Sequence, residues 1–182
     1  MIPALATAFD ALETRRQALF ADLASRPPAS LEVRPEPKSW TLAEVAQHLW
    51  LVERGTLHVM EGRLAKPPLR RGPLNRLGIA AMRFILGRFR FKVPIAAIQP
   101  KPGIPLAQVQ ADWDATRSKM RAMLEGIDEP RLHQSFFRHP LAGPLSVAET
   151  MEFLTRHHDH HLRQVRRIDR LMGARDEGTG RG

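Results

Sequence analysis

Apolar residues recur three and four positions apart over most of this chain, the spacing that lines one face of an α-helix. Leu5, Phe9, Leu12, Leu19 and Leu23 predict a first helix that ends near Ser25, where Pro27-Pro28 stops it. A second helix is predicted from Thr41. Thr41 and Glu44 have the N-cap and N3 spacing of a capping box, and Trp40 is placed to staple against Val45. Its stripe runs through Leu42, Val45, Leu49, Val52, Thr56, Val59 and Met60, and fades near Gly62. Residues 64–104 are the least regular part. Within them Leu74 to Phe89 predicts a short helix with Leu77, Ala81, Phe84, Ile85 and Phe89 inward.

Leu106 to Gly126 reads as a third long helix burying Val109, Trp113, Met120 and Leu124, with Pro105 at its first turn. A second irregular connection covers 127–145. Ser146 and Glu149 then supply another capping box, and Val147, Met151, Leu154, Val165, Ile168 and Met172 mark the last helix. Gly173 is expected to end it and to leave 173–182 as a disordered tail. No internal repeat and no convincing strand is visible. The expectation is all-α: one four-helix-bundle domain over 1–172, with an irregular, partly helical insertion between the second and third long helices.

Composition narrows the chemistry. The 182 residues include no cysteine, so disulfides, thiolate metal sites and a cysteine nucleophile are excluded. The net charge is +9, carried by arginines that look scattered, with few aromatics between them. That footprint argues against nucleic-acid binding. The basic, amphipathic stretch around Leu74–Phe89 reads as a lid or packing helix with a solvated arginine face, in preference to a site for an anionic partner or a membrane surface. The first residues lack a basic segment followed by an apolar core, and no run of about 18 apolar residues exists to span a membrane. A cytoplasmic location is the expectation.

Four histidines fall within five residues, His157, His158, His160 and His161, inside the last predicted helix. His161 lies in the apolar stripe, and His157 within roughly 40° of it at 100° per residue. His158 sits on the other flank and His160 points away. Two imidazoles one turn apart can grip one metal ion. A third ligand must come from a facing helix, and His48, on the flank of the second helix's stripe, is the best candidate. Three histidines suit zinc, nickel or another divalent first-row ion and leave a position open for water or substrate. His158 either replaces His157 as a ligand or supports the site from behind. His58 is expected to face solvent, His160 to be exposed, and His133 and His139 to be surface groups in a loop.

The run Ser39-Trp40-Thr41-Leu42-Ala43-Glu44-Val45-Ala46-Gln47-His48-Leu49, with Glu53 after it, resembles the start of the second helix in the DinB/YfiT-like metal-binding bundles. The stretch His157-His158-Asp159-His160-His161-Leu162-Arg163-Gln164-Val165 is similar to that family's closing His-x-x-x-His motif, and Gly143-Pro144-Leu145-Ser146-Val147-Ala148-Glu149 to its approach to the last helix. The resemblance covers most of Trp40 to Leu171. It implies a four-helix bundle, with His48, His157 and His161 as metal ligands in preference to His158. Its relatives include transferases and isomerases that use low-molecular-weight thiols, metal-dependent hydrolase candidates, and homodimers.

The leading expectation is therefore a metal-dependent transferase acting on a small-molecule substrate with a low-molecular-weight thiol. The ion would lower the thiol's pKa, and the nucleophile would arrive with the co-substrate because the chain has no cysteine. A metal-dependent hydrolase and a non-enzymatic, metal-binding or dimerising bundle are the alternatives.

Overall fold

The computed structural model describes residues 1–88 and 95–179, with no side-chain description for 87, 88 and 174–179. Four long helices form the frame: α1 (Pro3–Ala24), α3 (Leu42–Leu64), α5 (Leu106–Glu125) and α7 (Val147–Thr179). Between them come the single turns α2 (Pro28–Leu31) and α6 (Glu129–Leu132), the helix α4 (Asn75–Arg88) and a 3₁₀ turn at Ala96–Ile98. A β-hairpin, β1 (Ser135–His139) and β2 (Gly143–Ser146), precedes α7. α3 packs on α5 and α7, and α1 on α7 and α5, so α1 and α3 stand diagonally across the bundle.

The predicted starts hold. Thr41 accepts from the Glu44 backbone N–H at 3.1 Å, and Glu44 accepts in return from the Thr41 N–H at 3.0 Å. Ser146 and Glu149 make the same reciprocal pair at the start of α7. Each box satisfies two backbone donors that a helix start would otherwise leave unpaired.

Three expectations need correction. The connection over 127–145 is not wholly irregular, because β1 and β2 pair antiparallel, from Ser135 opposite Ser146 to His139 opposite Gly143. Gly143 turns the chain with φ +71°, a conformation that glycine adopts without strain. Second, α7 continues past Gly173 to Thr179; residues 180–182 of the expected tail lie outside the described residues. Third, α4 is turned relative to its predicted face. Asn75, Ile79 and Met82 are buried, whereas Leu77, Ala81 and Phe84 are exposed. Phe89 lies outside the described residues. Asn75 explains the rotation: its side-chain amide donates to the Ala142 carbonyl at 2.8 Å and the Pro144 carbonyl at 3.1 Å, pinning α4 to the hairpin.

The apolar interior falls into two clusters stacked along the bundle. One gathers Leu5, Phe9, Leu12, Met60, Met82, Met120, Leu124, Leu145 and Met151. The other gathers Leu19, Leu23, Leu42, Leu49, Val109, Trp113, Val165 and Ile168. Along α1, α5 and α7 the sequence passes from one cluster to the other through polar residues, Arg16, Arg117, and His157, His158 and His161; on α3 the change falls between Leu51 and Val52, beside the buried Glu53. The bundle thus has a polar waist. Fully burying one Leu side chain contributes roughly 1.5–3 kcal/mol, so the apolar ends can carry an ionic middle.

Within the waist Arg117 lies between Glu13 (3.1 Å) and Glu53 (3.6 Å), and Trp113 donates its indole N–H to Glu53 at 2.8 Å. Burial pushes the Glu53 carboxyl upward, while Arg117 and the indole pull the other way.

Candidate metal centre

His48 projects from α3 at the level where α7 presents His157 and His161, one turn apart on the same face. One nitrogen of each ring lies within 4.8 Å of the others, the one such group among the described residues. Nε2 of His157 is 3.3 Å from Nε2 of His48 and 3.2 Å from Nε2 of His161.

The far side of each ring fixes what those nitrogens offer. Nδ1 of His48 is 2.7 Å from the Ile98 backbone carbonyl. A carbonyl only accepts, so Nδ1 carries the proton and Nε2 presents a lone pair. His161 does the same toward the side-chain oxygen of Gln164, also at 2.7 Å. Two lone pairs therefore converge on His157 Nε2, whose ring can return one N–H at most. Like groups this close, with a mismatch of donors and acceptors, suit a cation between them. Outer hydrogen bonds that fix the tautomer and ring plane are also what metal-binding histidines usually make.

Burial keeps the rings neutral. Removal from water lowers the His48 pKa to about 4, against a smaller upward pull from the Ile98 carbonyl. His157 and His161 are held well below 6.5, first by burial and then by neighbouring imidazoles. Among the described residues no carboxylate contacts the three rings. A divalent ion here would keep its full charge.

The surroundings are apolar and aromatic. The Trp40 ring lies 4.6 Å from that of His48 and stacks over His161 at 6.0 Å, and Phe153 lies 5.6 Å from His157. The Lys101 backbone N–H donates to the Gln47 side chain at 2.6 Å, so α3 anchors the segment carrying Ile98 at two points. Two shallow clefts, about 260 Å³ beside Arg16 and Phe20 and about 330 Å³ between Trp50 and Lys119, lie away from this cluster.

The other histidines divide differently from expectation. His158 turns into the bundle, 1% exposed, with its ring 5.7 Å from Trp113 and no hydrogen-bond partner for either nitrogen among the described residues. It is not in the converging group. His160 is partly buried, not exposed, and its Nδ1 reaches the Leu86 carbonyl of α4 at 3.2 Å. His139 is buried, not superficial: Nδ1 accepts from the backbone N–H groups of Leu141 and Ala142 at 3.2 and 3.1 Å. His58 and His133 are exposed, as expected.

The family profile of the DinB superfamily matches residues 11–165, a span that holds all three converging histidines. The chain belongs to the DinB superfamily. Among similar proteins is YuaE of Bacillus subtilis, an uncharacterised protein 22% identical over 76% of this chain and 82% of its own length. Two solved structures share the fold. TT2238, described as a four-helix bundle protein, is 25% identical and superimposes with a TM-score of 0.58 over 88% of this chain and 96% of its own. YfiT from Bacillus subtilis is 15% identical, with a TM-score of 0.62 over 92% of this chain and 86% of its own. YfiT is described as a probable metal-dependent hydrolase with an unusual four-helix bundle topology. A DinB-superfamily assignment thus accounts for the bundle, and the three-histidine cluster fits metal binding.

Sequence reasoning missed the groups behind the rings. Gln164 lies three residues after His161, a spacing that puts it beside the ring on a helix, and that signal was available. The Ile98 carbonyl carries no side-chain signal and sits in a connection without periodicity.

Proposed function

We propose that His48, His157 and His161 hold a divalent ion, zinc or nickel, in a metal-dependent enzyme acting on a small molecule. The observation that carries this reading is the tautomer pattern. Two Nδ1–H groups are committed outward, to Ile98 and Gln164, so that lone pairs point to one place. What such an ion supplies is acidification of a thiol or a water at neutral pH. Three neutral imidazoles with no carboxylate among them favour this, because nothing offsets the ion's charge.

The chain's own residues do the rest. Trp40 and Phe153 keep water from the rings on two sides, and Ile98 and Gln164 hold the ring planes. With no cysteine in the chain, a thiol nucleophile must come with the co-substrate. Attack of a low-molecular-weight thiol's sulfur on an electrophile is the reaction we assign first. A bond forms to sulfur as the thiol gives up its proton and the electrophile its leaving group. Hydrolysis is the second reading, favoured by the likeness to YfiT and its description as a probable metal-dependent hydrolase.

Metal content of untagged protein tests the site. About one equivalent of ion per chain is expected by elemental analysis, and none in the His157→Ala/His161→Ala variant. Metal-free wild type that takes up no divalent ion on titration would make the histidines structural. With the ion in place, turnover of thiol plus electrophile against ester or amide hydrolysis separates the two reactions, and neither occurring would leave a metal-binding bundle without catalysis.

A further inference from the structure

The outer face of α4 points to a second function: we infer that it lies on the surface of an anionic lipid bilayer. A packing helix should turn its apolar residues to the core and its polar ones to water. In α4 Asn75, Ile79 and Met82 face the core, yet the opposite face is also apolar. Leu77 is 67% exposed and Phe84, two turns on, is 52% exposed, with exposed Ala80 and Ala81 between them. Leu74, 71% exposed, precedes the helix on that side. Leu141 extends the patch from the hairpin, whose backbone comes so close to Gly78 that a Cβ there would sit 3.1 Å from the Leu141 carbonyl.

Charge decides the occupant. The positive excess is not evenly scattered, as the sequence first suggests. Between Arg63 and Lys101 there are ten Lys and Arg residues and no Asp or Glu, and the rest of the chain is close to neutral. The carboxylates that α7 offers nearby are already engaged, Glu149 by Arg71 and Glu152 by Arg83 at 2.5 Å. Arg70 and Arg76 are exposed and make no ion pair among the described residues.

An apolar ridge flanked by cations is what an interfacial helix presents. The leucines enter the headgroup boundary, and the arginine stems lie along it with their guanidiniums on lipid phosphates. A second copy of this chain on a two-fold axis would bring the same cationic rim against itself. A nucleic acid would meet leucine where it needs charge or a stacking ring. Among the described residues no helix is long and apolar enough to cross a membrane, so the contact would be peripheral.

Co-sedimentation of the full chain with lipid vesicles tests this. Wild type should pellet with phosphatidylglycerol-containing vesicles, stay in solution with phosphatidylcholine alone, and be released when salt rises from about 0.1 M to about 0.5 M. Leu74→Gln/Leu77→Gln keeps every charge and should weaken partitioning at least roughly tenfold. Arg70→Gln/Arg76→Gln should weaken it by about the same factor or more. All these side chains are exposed, so circular dichroism and the melting midpoint should match wild type.

No partitioning of wild type overturns the inference. So does partitioning that the leucine variant leaves unchanged, which would be diffuse attraction of a basic protein. Equal binding to phosphatidylcholine would remove the role of the cations. A dimer in light scattering that the leucine variant dissolves, without vesicle binding, would assign the face to a second copy.

Discussion

The proton on His48 Nδ1 is fixed by a backbone carbonyl, and that on His161 by a glutamine side chain, so the two rings should differ in how replaceable their supports are. Gln164→Leu removes the outer acceptor while leaving all three rings in place. Metal affinity should fall by 10–100-fold, read by competition with a chelating dye, whereas His48→Ala should abolish binding. His158→Ala should leave affinity near wild type, because its ring faces Trp113 and not the cluster. Loss of the ion in that variant would move the ligand set. His139 supplies a pH signature away from the metal. Burial lowers its pKa to about 4, and its ring meets that of Phe153 on α7 at 4.7 Å. The unfolded chain takes up this proton near the ordinary 6.5, the folded one only near 4. Its contribution is therefore complete above pH 6.5, declines as pH falls from there to about 4, and is constant below. The full span is on the order of 3 kcal/mol at most. In His139→Asn the side-chain oxygen can take the place of Nδ1 as acceptor without titrating. Urea midpoints at pH 7 and pH 5 should then converge more closely than in wild type.

At the level of elements, what the sequence shows well are the long helices, because cap and stripe agree. Thr41 with Glu44 and Ser146 with Glu149 mark two starts that the structure reproduces atom for atom. The converging histidines were legible in part for the same reason: helical arithmetic puts His157 and His161 on one face, whereas the choice of His157 over His158 came from the family resemblance. The connections were not. Phe136 and Leu145 are buried in a hairpin too short for a period-of-two signal to stand out. The face of α4 was misread because both of its sides are apolar, and only Asn75, a polar residue, selects which one goes inward. Two substitutions test that selection. Asn75→Ala removes both amide donations to the hairpin and should cost about 2–3 kcal/mol, as two buried carbonyls lose their partner. Gly78→Ala brings a Cβ to 3.1 Å from two carbonyl oxygens and 3.2 Å from the Ala142 Cα, all backbone and unable to swing aside. It should cost about 1–3 kcal/mol by overpacking, although alanine normally favours a helix. A stabilised Gly78→Ala protein in a urea titration would mean that α4 does not rest on the hairpin as described.

Across the whole molecule the polar waist divides two apolar clusters; His157 and His161 sit in it and His48 reaches them from α3, joining α3 to α7 and, through Ile98, to the segment before α5. A metal ion at this point would bridge helices that otherwise meet through neutral, imperfectly matched rings, so binding should appear as stability of the entire bundle. An ion that binds only the folded chain adds about 2.7 kcal/mol when free at a hundred times its dissociation constant. For a chain of this size that corresponds to a melting midpoint higher by roughly 5–10 °C. Chelation should reverse the shift, and His157→Ala/His161→Ala should show no shift at any ion concentration. The same variant need not be unstable, since it removes two of three crowded Nε2 atoms, that of His157 lying 3.3 and 3.2 Å from the other two, with one N–H at most between them, a mismatch that the metal-free fold bears. The two effects have opposite signs and are read in one experiment. Without metal the variant should melt at or above wild type, and with metal clearly below it. A variant that melts lower in both conditions would mean that the imidazoles stabilise the waist by packing, with the ion adding nothing at this level.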